Sequence, residues 1–357
     1  MSEAMQAFRA TASTVKMIGR TYDYKETLWL ALSGSGVEFE FYGKRAEIAI
    51  KGDDRIASPA HQARIGIYVN GKRVVDDQVT EHMKTYTVLQ SDTEAQITVK
   101  VIKLSEAAMS TVGIERIIVD AAGGIKPTAA QARKVEIIGD SITCGYGVDD
   151  ENEQRHFSTA TEDVTQAYAY QAAQALEADY SMVCYSGYGI ISGYTEDDQK
   201  KTAHLVPDYY EKVAKSEGKF DRTLDPLTVS WDFDRFVPEL IVINLGTNDD
   251  SYTKEHAVRQ AEYADQYVEF LKCVRRNNAD AKILCTLGIL GGRLYPFVEQ
   301  AVDRYGHETG DRNIATMEFD TQLASDGYGA DWHPSKATHR KAAKKLVARI
   351  RELMDWK

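Results

Sequence analysis

The sequence predicts two domains of different fold class. An antiparallel β-sandwich of jelly-roll type is expected over residues 1–125, followed by an α/β domain with a doubly wound parallel sheet over residues 126–357. Three observations support this prediction. Short segments of alternating polar and apolar residues dominate the first third of the chain. Strand and helix patterns alternate in the remainder. Gly123, Gly124 and Pro127 lie where the first pattern gives way to the second. A chain of 357 residues also suits two domains of about 100–200 residues each.

The predicted sandwich depends on segments in which every second residue is apolar. Residues 37–42 and 46–51 alternate in this way, and residues 64–69 lead into Asn70-Gly71, a dipeptide that favours a tight hairpin turn. Further strand patterns follow at residues 72–75, 85–89, 95–104 and 113–119. Short strands with a turn about every 10 residues are typical of a sandwich or jelly roll.

Buried-strand patterns alternate with amphipathic helix patterns in the second domain. The predicted strands are residues 134–138, 181–185, 240–244, 283–287 and 314–319, and the predicted helices are residues 166–178, 255–275, 294–305 and 335–354. Such alternation gives a parallel sheet, and ligands bind at the carboxyl ends of its strands. The loops that follow these strands are therefore the expected location of a site, and the insertion at residues 195–236 is expected to lie over it.

Composition and charge exclude several classes of protein. The chain has 43% hydrophobic and 27% charged residues, as globular domains do, and its net charge of −11 disfavours nucleic-acid and membrane partners. No apolar stretch approaches the ~18–20 residues of a transmembrane helix. The four cysteines are scattered, without a CxxC pair or a Cys/His cluster, so no metal site is expected. Without a signal-peptide pattern, a reduced cytoplasmic protein is expected; a leader missing from this sequence would instead indicate secretion.

Four loops at predicted strand ends carry residues suited to catalysis. They are Gly139-Asp140-Ser141, Ser186-Gly187-Tyr188-Gly189, Gly246-Thr247-Asn248-Asp249 and Asp331-Trp332-His333-Pro334. Each loop taken alone has a structural interpretation, because serine, asparagine and aspartate cap helices and glycine occurs in turns. The combination of a serine at a helix start with a distant histidine nevertheless suits nucleophilic catalysis, since a serine hydroxyl needs an adjacent base.

Taken in order, the four loops resemble blocks one, two, three and five of the SGNH (GDSL-type) hydrolase superfamily, over residues 134 to the C-terminus. Within that superfamily, the segments at residues 139–147 and 186–190 and the jelly-roll N-terminal domain resemble carbohydrate esterase family 2, over nearly the whole chain. Members of that family remove O-acetyl groups from plant polysaccharides such as xylan and glucomannan. The resemblance therefore implies an acetylxylan esterase-like serine esterase that acts on polysaccharides or oligosaccharides through an acyl-enzyme.

The resemblance also implies roles for individual residues. Ser141 is the nucleophile and His333 is the base, and an imidazole suits this task because its pKa lies near neutrality. The oxyanion hole consists of the backbone N–H groups of Ser141 and Gly187 and the side-chain amide of Asn248. Removal of one such donor typically lowers the rate by ~10²–10³. The reaction needs neither a metal nor an organic cofactor, and none is expected.

The position of the aspartate that would orient His333 departs from the superfamily pattern, which has an aspartate three residues before the histidine. Here Asp331 is two residues before it, with Trp332 between. Side chains at positions i and i+2 of an extended segment share one face, and Pro334 disfavours helical backbone at His333, so a Ser–His–Asp triad with Asp331 is predicted. If the loop curls early, a backbone carbonyl such as that of Trp332 accepts the Nδ1 proton and the site is a Ser–His dyad.

Aromatic residues are the candidates for stacking on sugar rings. Trp332 lies beside the predicted site, and Tyr188, Trp231 and Tyr146 are further candidates for which core packing is the alternative. His339, in the basic C-terminal helix, is expected at the surface.

Two other functions are also compatible with the sequence. The same machinery would serve another acyl ester, such as a lipid or a thioester. Alternatively, the chain is a carbohydrate-binding protein with a vestigial hydrolase domain, which the four intact loop motifs disfavour. The expected partner is an acetylated saccharide, and a homo-oligomer is left open.

Overall fold

The computed structural model describes residues 4–357, which form two compact units. The first unit contains the chain up to Ala130 together with residues 158–162 and 212–231, and the second contains residues 131–157, 163–211 and 232–357. The predicted boundary after residue 125 is therefore too early, because Lys126 and Pro127 pair with Glu40 and Phe39 in the sheet of the first unit. The prediction of an uninterrupted second domain is also wrong, since two of its segments belong to the first unit.

In the described part of the first unit, the strands form one antiparallel sheet. They are β1 (Gln6–Phe8), β2 (Lys16–Ile18), β3 (Thr21–Tyr24), β4 (Thr27–Leu30), β5 (Gly36–Gly52), β6 (Arg64–Val69), β7 (Lys72–Gln78), β8 (Met83–Lys103), β9 (Val112–Val119) and β10 (Lys126–Pro127). Their order is β3-β4-β9-β5-β8-β6-β7, with β1 on β9 and with β2 and β10 on β5. The predicted antiparallel β fold is confirmed, and the jelly-roll topology stays a prediction.

Two of these strands are much longer than the sequence pattern predicts. Strand β5 has 17 residues and β8 has 21, and each joins two segments that the alternating pattern predicts as separate strands. The register between β5 and β8 shifts at Gly43/Arg45 and again at Ala46/Glu47. Such bulges bend a strand without ending it. The interruption of the alternating pattern near residue 44 therefore marks a bulge rather than a turn.

Cross-strand apolar pairs form the core of the first unit. Phe39 and Phe41 of β5 lie opposite Val99 and Ile97 of β8, and all four side chains are buried. Residues on one face of an antiparallel pair pack directly against each other, which is why the alternating pattern specifies the buried face. The segment at residues 212–231 adds Phe220, whose ring stacks on that of Trp29 at a centroid distance of 5.6 Å.

The second unit contains a parallel sheet of the predicted class. Its strands, in the order β12-β11-β13-β14-β15, are β11 (Arg133–Gly139), β12 (Ala178–Cys184), β13 (Leu240–Asn244), β14 (Lys282–Leu287) and β15 (Ile314–Glu318). The helices of this unit are α1 (Ser141–Cys144), α2 (Tyr168–Ala175), α3 (Val206–Tyr209), α4 (Thr247–Thr253), α5 (Ala257–Asn277), α6 (Tyr295–Thr309) and α7 (Lys336–Met354). Among residues 4–357, no helix has the length and apolar character needed to cross a membrane.

The sheet brings the first three predicted loops to one edge. Gly139, the last residue of β11, pairs with Cys184 of β12 on one side and with Asn244 of β13 on the other. The carboxyl ends of these three strands are therefore level. Because β12 and β13 flank β11, the strand order reverses at β11, and such a reversal is where open α/β sheets bind ligands.

Candidate active site

Ser141 is the first residue of α1 and lies directly beyond the end of β11. The carboxylate of Asp140 caps this helix, since its Oδ1 accepts a hydrogen bond from the N–H of Ile142 at 3.0 Å. The interpretation of Ser141 as the cap is therefore wrong. A side chain at Gly139 would place its Cβ 2.1 Å from the Thr143 hydroxyl, so only glycine fits before this turn.

The Ser141 hydroxyl contacts the imidazole of His333. Ser141 Oγ and His333 Nε2 are 2.9 Å apart, and His333 Nδ1 lies 3.2 Å from the backbone carbonyl oxygen of Asp331. A carbonyl oxygen only accepts, so Nδ1 carries the proton and Nε2 is the acceptor that faces the serine. The arrangement is a Ser–His pair in which a backbone carbonyl orients the base.

The prediction that the Asp331 carboxylate completes a triad is wrong. Its oxygens instead accept hydrogen bonds from the Tyr146 hydroxyl at 2.6 Å, from His156 Nδ1 at 2.9 Å and from the Phe157 N–H at 3.0 Å. The physical reason is the backbone. Residues 330–332 form a short 3₁₀ turn in which Asp331 and Trp332 have φ values of 50° and 61°. The segment is not extended, so the side chains at positions 331 and 333 diverge.

The other two predicted oxyanion-hole residues lie in the loops after β12 and β13. Asn248 is buried in the first turn of α4, and its Nδ2 donates to the carbonyl oxygen of Tyr188 at 2.8 Å. Gly187 has a φ of 80°, in the left-handed region that favours glycine. Within the described chain, the backbone N–H groups of Ser141 and Gly187 donate to no protein acceptor. The assignment of these groups to an oxyanion hole stays a prediction. Two N–H donors without a protein acceptor are compatible with it.

Asp249 is a residue whose role sequence reasoning missed. It is fully buried, and its carboxylate accepts hydrogen bonds from the backbone N–H groups of Ile190, Ile191 and Ser192 at 2.7–3.1 Å. Together with the bond from Asn248 to Tyr188, these contacts hold the loop that follows Gly187. The Asn-Asp pair at a strand end was the available signal. Burial raises the pKa of Asp249 to about 6, against the opposing effect of the three N–H donors.

The surroundings of His333 depress its basicity. Burial lowers the pKa of His333 to about 4, although the hydrogen bond to the Asp331 carbonyl acts in the opposite direction. The ring of Tyr146 stacks on the imidazole with a centroid distance of 3.9 Å and an interplanar angle of 22°. A base with a low pKa stays neutral, and so able to accept a proton, in mildly acidic solution.

We expect this depressed pKa to set the acid limit of activity. A protonated imidazole cannot accept the serine proton, so kcat/KM should fall as the pH drops through the pKa of His333. For 4-nitrophenyl acetate we expect half-maximal kcat/KM near pH 4 rather than near 6.5, the ordinary histidine pKa. Circular dichroism in the same buffers separates this titration from acid unfolding. Half-maximal kcat/KM near pH 6.5 in the folded protein would contradict the expectation.

The prediction that His339 lies at the surface is wrong. The side chain is fully buried, and its Nδ1 accepts a hydrogen bond from the backbone N–H of Tyr168 at 3.1 Å. This contact joins α7 to the start of α2. Burial lowers the pKa of His339 to about 3, so the ring is neutral in the folded protein at ordinary pH.

Two of the predicted sugar-stacking residues are packed into the protein. Tyr188 is buried, with ring centroids 5.1 Å from Tyr185 and 4.9 Å from His204. Trp231 belongs to the first unit, where it is buried beneath the guanidinium of Arg20 at 5.3 Å. Both had core packing as the alternative interpretation, and the structure supports that alternative.

Exposed aromatic rings are nevertheless present in the second unit near the Ser–His pair. Trp332, next to His333, is 51% exposed and its ring centroid lies 5.2 Å from that of Tyr328. Tyr194 is 55% exposed, and its backbone N–H donates to the carbonyl oxygen of Gly187 at 2.8 Å. Sequence reasoning missed Tyr194, because no motif marks a loop tyrosine whose neighbours in space lie several residues away.

Comparisons with known proteins agree with this architecture. Residues 17–128 match the family model described as carbohydrate esterase 2 N-terminal, and residues 137–341 match that of the GDSL-like lipase/acylhydrolase family. The chain is 30% identical, over 91% of its length, to cellulase/esterase CelE of Acetivibrio thermocellus, and it spans 38% of that protein. It is 30% identical, over 63% of its length, to an acetylxylan esterase/glucomannan deacetylase of Cellvibrio japonicus, and it spans 58% of that protein.

Solved structures share the fold over nearly the whole chain. The acetyl xylan esterase Est2A of Butyrivibrio proteoclasticus superposes with a TM-score of 0.89 at 22% identity, covering 99% of both chains. A family two carbohydrate esterase of Clostridium thermocellum, solved in complex with cellohexaose, gives a TM-score of 0.79 at 28% identity, covering 96% of this chain and 100% of the other. Both units are therefore present in these structures.

Proposed function

The chain belongs to the GDSL-like lipase/acylhydrolase family and carries an N-terminal domain of the carbohydrate esterase 2 type, and on that premise we propose that it is a serine esterase that removes O-acetyl groups from plant polysaccharides or oligosaccharides. The observation that carries the proposal is the 2.9 Å contact between Ser141 Oγ and His333 Nε2 at the carboxyl edge of the sheet. The substrate class comes from the relatives, which are named acetylxylan esterases and deacetylases.

In the first half of the reaction, the acetyl group moves to the enzyme. Ser141 Oγ attacks the acetyl carbonyl carbon while His333 Nε2 accepts the hydroxyl proton. The negative charge that develops on the carbonyl oxygen is stabilised by the N–H groups of Ser141 and Gly187 and the amide of Asn248. The bond to the sugar oxygen then breaks, and that oxygen receives the proton from His333. The products of this step are the free sugar hydroxyl and an acetylated Ser141.

In the second half, water releases the acetyl group. His333 Nε2 accepts a proton from water, whose oxygen attacks the acetyl carbonyl, and the proton passes to Ser141 Oγ as acetic acid leaves and ionises to acetate in solution. Throughout both halves of the reaction, the Asp331 carbonyl oxygen accepts a hydrogen bond from the Nδ1–H group of His333. This bond keeps Nε2 facing the serine. A neutral carbonyl can orient His333 because the negative end of its dipole stabilises the protonated imidazole, as the charge of a carboxylate would.

The surface beside the catalytic pair suits a saccharide. Trp332 and Tyr194 expose about half of their surface area, and both belong to segments that contact the catalytic residues or Gly187. Aromatic rings present flat apolar faces together with a polar edge, which suits the mixed faces of a sugar ring. An acetylated glycan is therefore favoured over a lipid ester.

We place this activity in the cytoplasm. The support is that the four cysteines are all free, and three of them are buried. Disulfides are rare in the reducing cytosol.

A comparison of substrates tests the proposed function. The intact chain is assayed with 4-nitrophenyl acetate, butyrate and octanoate, with acetyl thioesters, and for acetate release from acetylated xylan and its oligosaccharides. Ser141→Ala measures the background. We expect hydrolysis of the acetyl ester and of acetylated saccharides, and a steep fall with acyl length. Preference for long acyl chains or thioesters would indicate another acyl ester, and saccharide binding without hydrolysis would indicate a vestigial site.

A further inference from the structure

We propose that the Asp331 carboxylate and the Tyr146 hydroxyl form a positioning pair that holds the His333 imidazole in its catalytic orientation without touching Nδ1. The proposal rests on the proposed function for its kinetic readout only. Asp331 acts by two routes, one through its own backbone and one through the ring of Tyr146. Neither route is the charge contact of a Ser–His–Asp triad.

The first route is the backbone of Asp331. Left-handed φ values are costly for residues other than glycine, so such a conformation persists only where contacts stabilise it. The Asp331 carboxylate accepts three hydrogen bonds, and its own N–H donates to the carbonyl oxygen of Arg155 at 2.9 Å. These contacts hold φ at 50°, and in that conformation the Asp331 carbonyl lies 3.2 Å from His333 Nδ1.

The second route is the ring of Tyr146. One face of the ring stacks on His333 at 3.9 Å, and the ring of Phe157 lies 4.7 Å away. The hydroxyl donates to Asp331 at 2.6 Å, and the backbone N–H donates to the carbonyl oxygen of Ser141 at 3.1 Å. Tyr146 is therefore fixed at its backbone, along its ring and at its tip. The imidazole cannot tilt toward Tyr146 without displacing a ring that Asp331 anchors.

The charge of Asp331 suits this role. Burial alone would raise the pKa of Asp331, but the hydrogen bonds from Tyr146 and His156 lower it below its ordinary value. The group is therefore an ionised carboxylate at neutral pH. Hydrogen bonds to a charged acceptor are stronger than those between neutral groups, so the bond from the Tyr146 hydroxyl is a firm anchor.

A double-mutant cycle tests the proposal. Tyr146→Phe keeps the stacked ring and removes only the hydroxyl, and Asp331→Asn keeps the size of the side chain while removing its charge. With 4-nitrophenyl acetate, we expect each single change to lower kcat about tenfold with KM within about twofold, because misorientation affects the reacting geometry rather than binding. The double variant should be no slower than the slower single variant, since both changes break the same contact.

Controls separate positioning from stability. Tyr209→Phe removes a tyrosine hydroxyl that donates to the Ala203 carbonyl at 2.8 Å, and it should keep the wild-type kcat. A Tyr146→Phe variant whose kcat stays within twofold of wild type would overturn the proposal. A loss near 10⁴ in Asp331→Asn beside a neutral Tyr146→Phe would indicate a triad carboxylate instead.

A second readout does not depend on esterase activity. The Nδ1–H proton of His333 should give a resolved NMR signal in the wild-type protein, assigned by its absence from His333→Ala. In Tyr146→Phe and Asp331→Asn we expect this signal to broaden through faster exchange with water. If the protein fails to hydrolyse acetyl esters but the signal responds in this way, the positioning pair stands and only the proposed function fails. An unchanged signal in both variants would contradict the positioning pair.

Discussion

Replacement of Ser141 by alanine is expected to lower kcat for 4-nitrophenyl acetate by on the order of 10³-fold or more. The change removes the only atom that forms the covalent bond to the acetyl group, while the oxyanion donors stay in place. Folding should be unaffected, because Asp140 rather than Ser141 caps the helix. Ser91→Ala, at an exposed serine of the first unit, is the matched control and should keep the full rate.

Melting temperature and circular dichroism show whether the Ser141→Ala protein is folded. A folded variant that keeps its rate within tenfold of wild type would remove Ser141 from the mechanism. The variant loses one hydrogen bond, that between Ser141 and His333, and a single hydrogen bond contributes about 1 kcal/mol to the free energy of unfolding.

Replacement of His333 by alanine is expected to cost as much as the loss of Ser141, on the order of 10³-fold or more in kcat. Among residues 4–357, His333 Nε2 is the base within hydrogen-bond distance of the serine hydroxyl, at 2.9 Å, and the variant removes it. Because the two residues act as a unit, the Ser141→Ala/His333→Ala double variant should be no slower than either single variant. Steady-state kinetics of the three variants measure this directly.

The control for this series is His307→Ala, at an exposed histidine of α6. It should keep the wild-type kcat and melting temperature. Losses that multiply in the double variant would show that Ser141 and His333 act independently. That result would contradict a mechanism in which the imidazole activates the serine.

The strand-end loops could be predicted from sequence because local patterns specify them. A buried apolar strand that runs into glycine and a polar residue marks its own carboxyl end, and parallel strands align those ends. This rule predicts that the loops with Ser141, Gly187 and Asn248 lie at one edge of the sheet. The register of β11 with β12 and β13 confirms that the three strands end level. The sequence places His333 directly before Pro334 at the start of the last helix, and in the structure that helix, α7, begins at Lys336 with Ser335 as its cap.

The role of Asp331 could not be predicted in the same way. The sequence is compatible with an extended loop or with a tight turn at residues 330–332, and contacts with residues distant in sequence decide between the two. The turn is selected by contacts with Tyr146, His156 and Phe157, nearly two hundred residues earlier in the chain. The spacing of Asp331 and His333 in the sequence does not show which groups bind the carboxylate. For that reason the spacing predicts a catalytic triad.

The two later segments that belong to the first unit, residues 158–162 and 212–231, could not be predicted for a related reason. Residues 212–231 contain no regular element longer than a 3₁₀ turn, and they are held by side chains such as Phe220 against Trp29. Periodicity detects helices and strands, whereas an irregular segment is placed only by what its side chains contact. Trp231 is a candidate for sugar stacking only because its side chain is aromatic, and in the structure it is buried beneath Arg20.

Covalent labelling tests the central claim, that His333 activates Ser141 as the nucleophile. The intact chain is incubated with diethyl 4-nitrophenyl phosphate, which phosphorylates activated serines as 4-nitrophenolate leaves, and the labelled peptides are located by mass spectrometry. We predict one diethylphosphoryl group on Ser141, loss of acetyl esterase activity in proportion to labelling, and no labelling of that peptide in His333→Ala. Inactivation with the label on a different residue, or full acetyl esterase activity in protein labelled at Ser141, would contradict the claim.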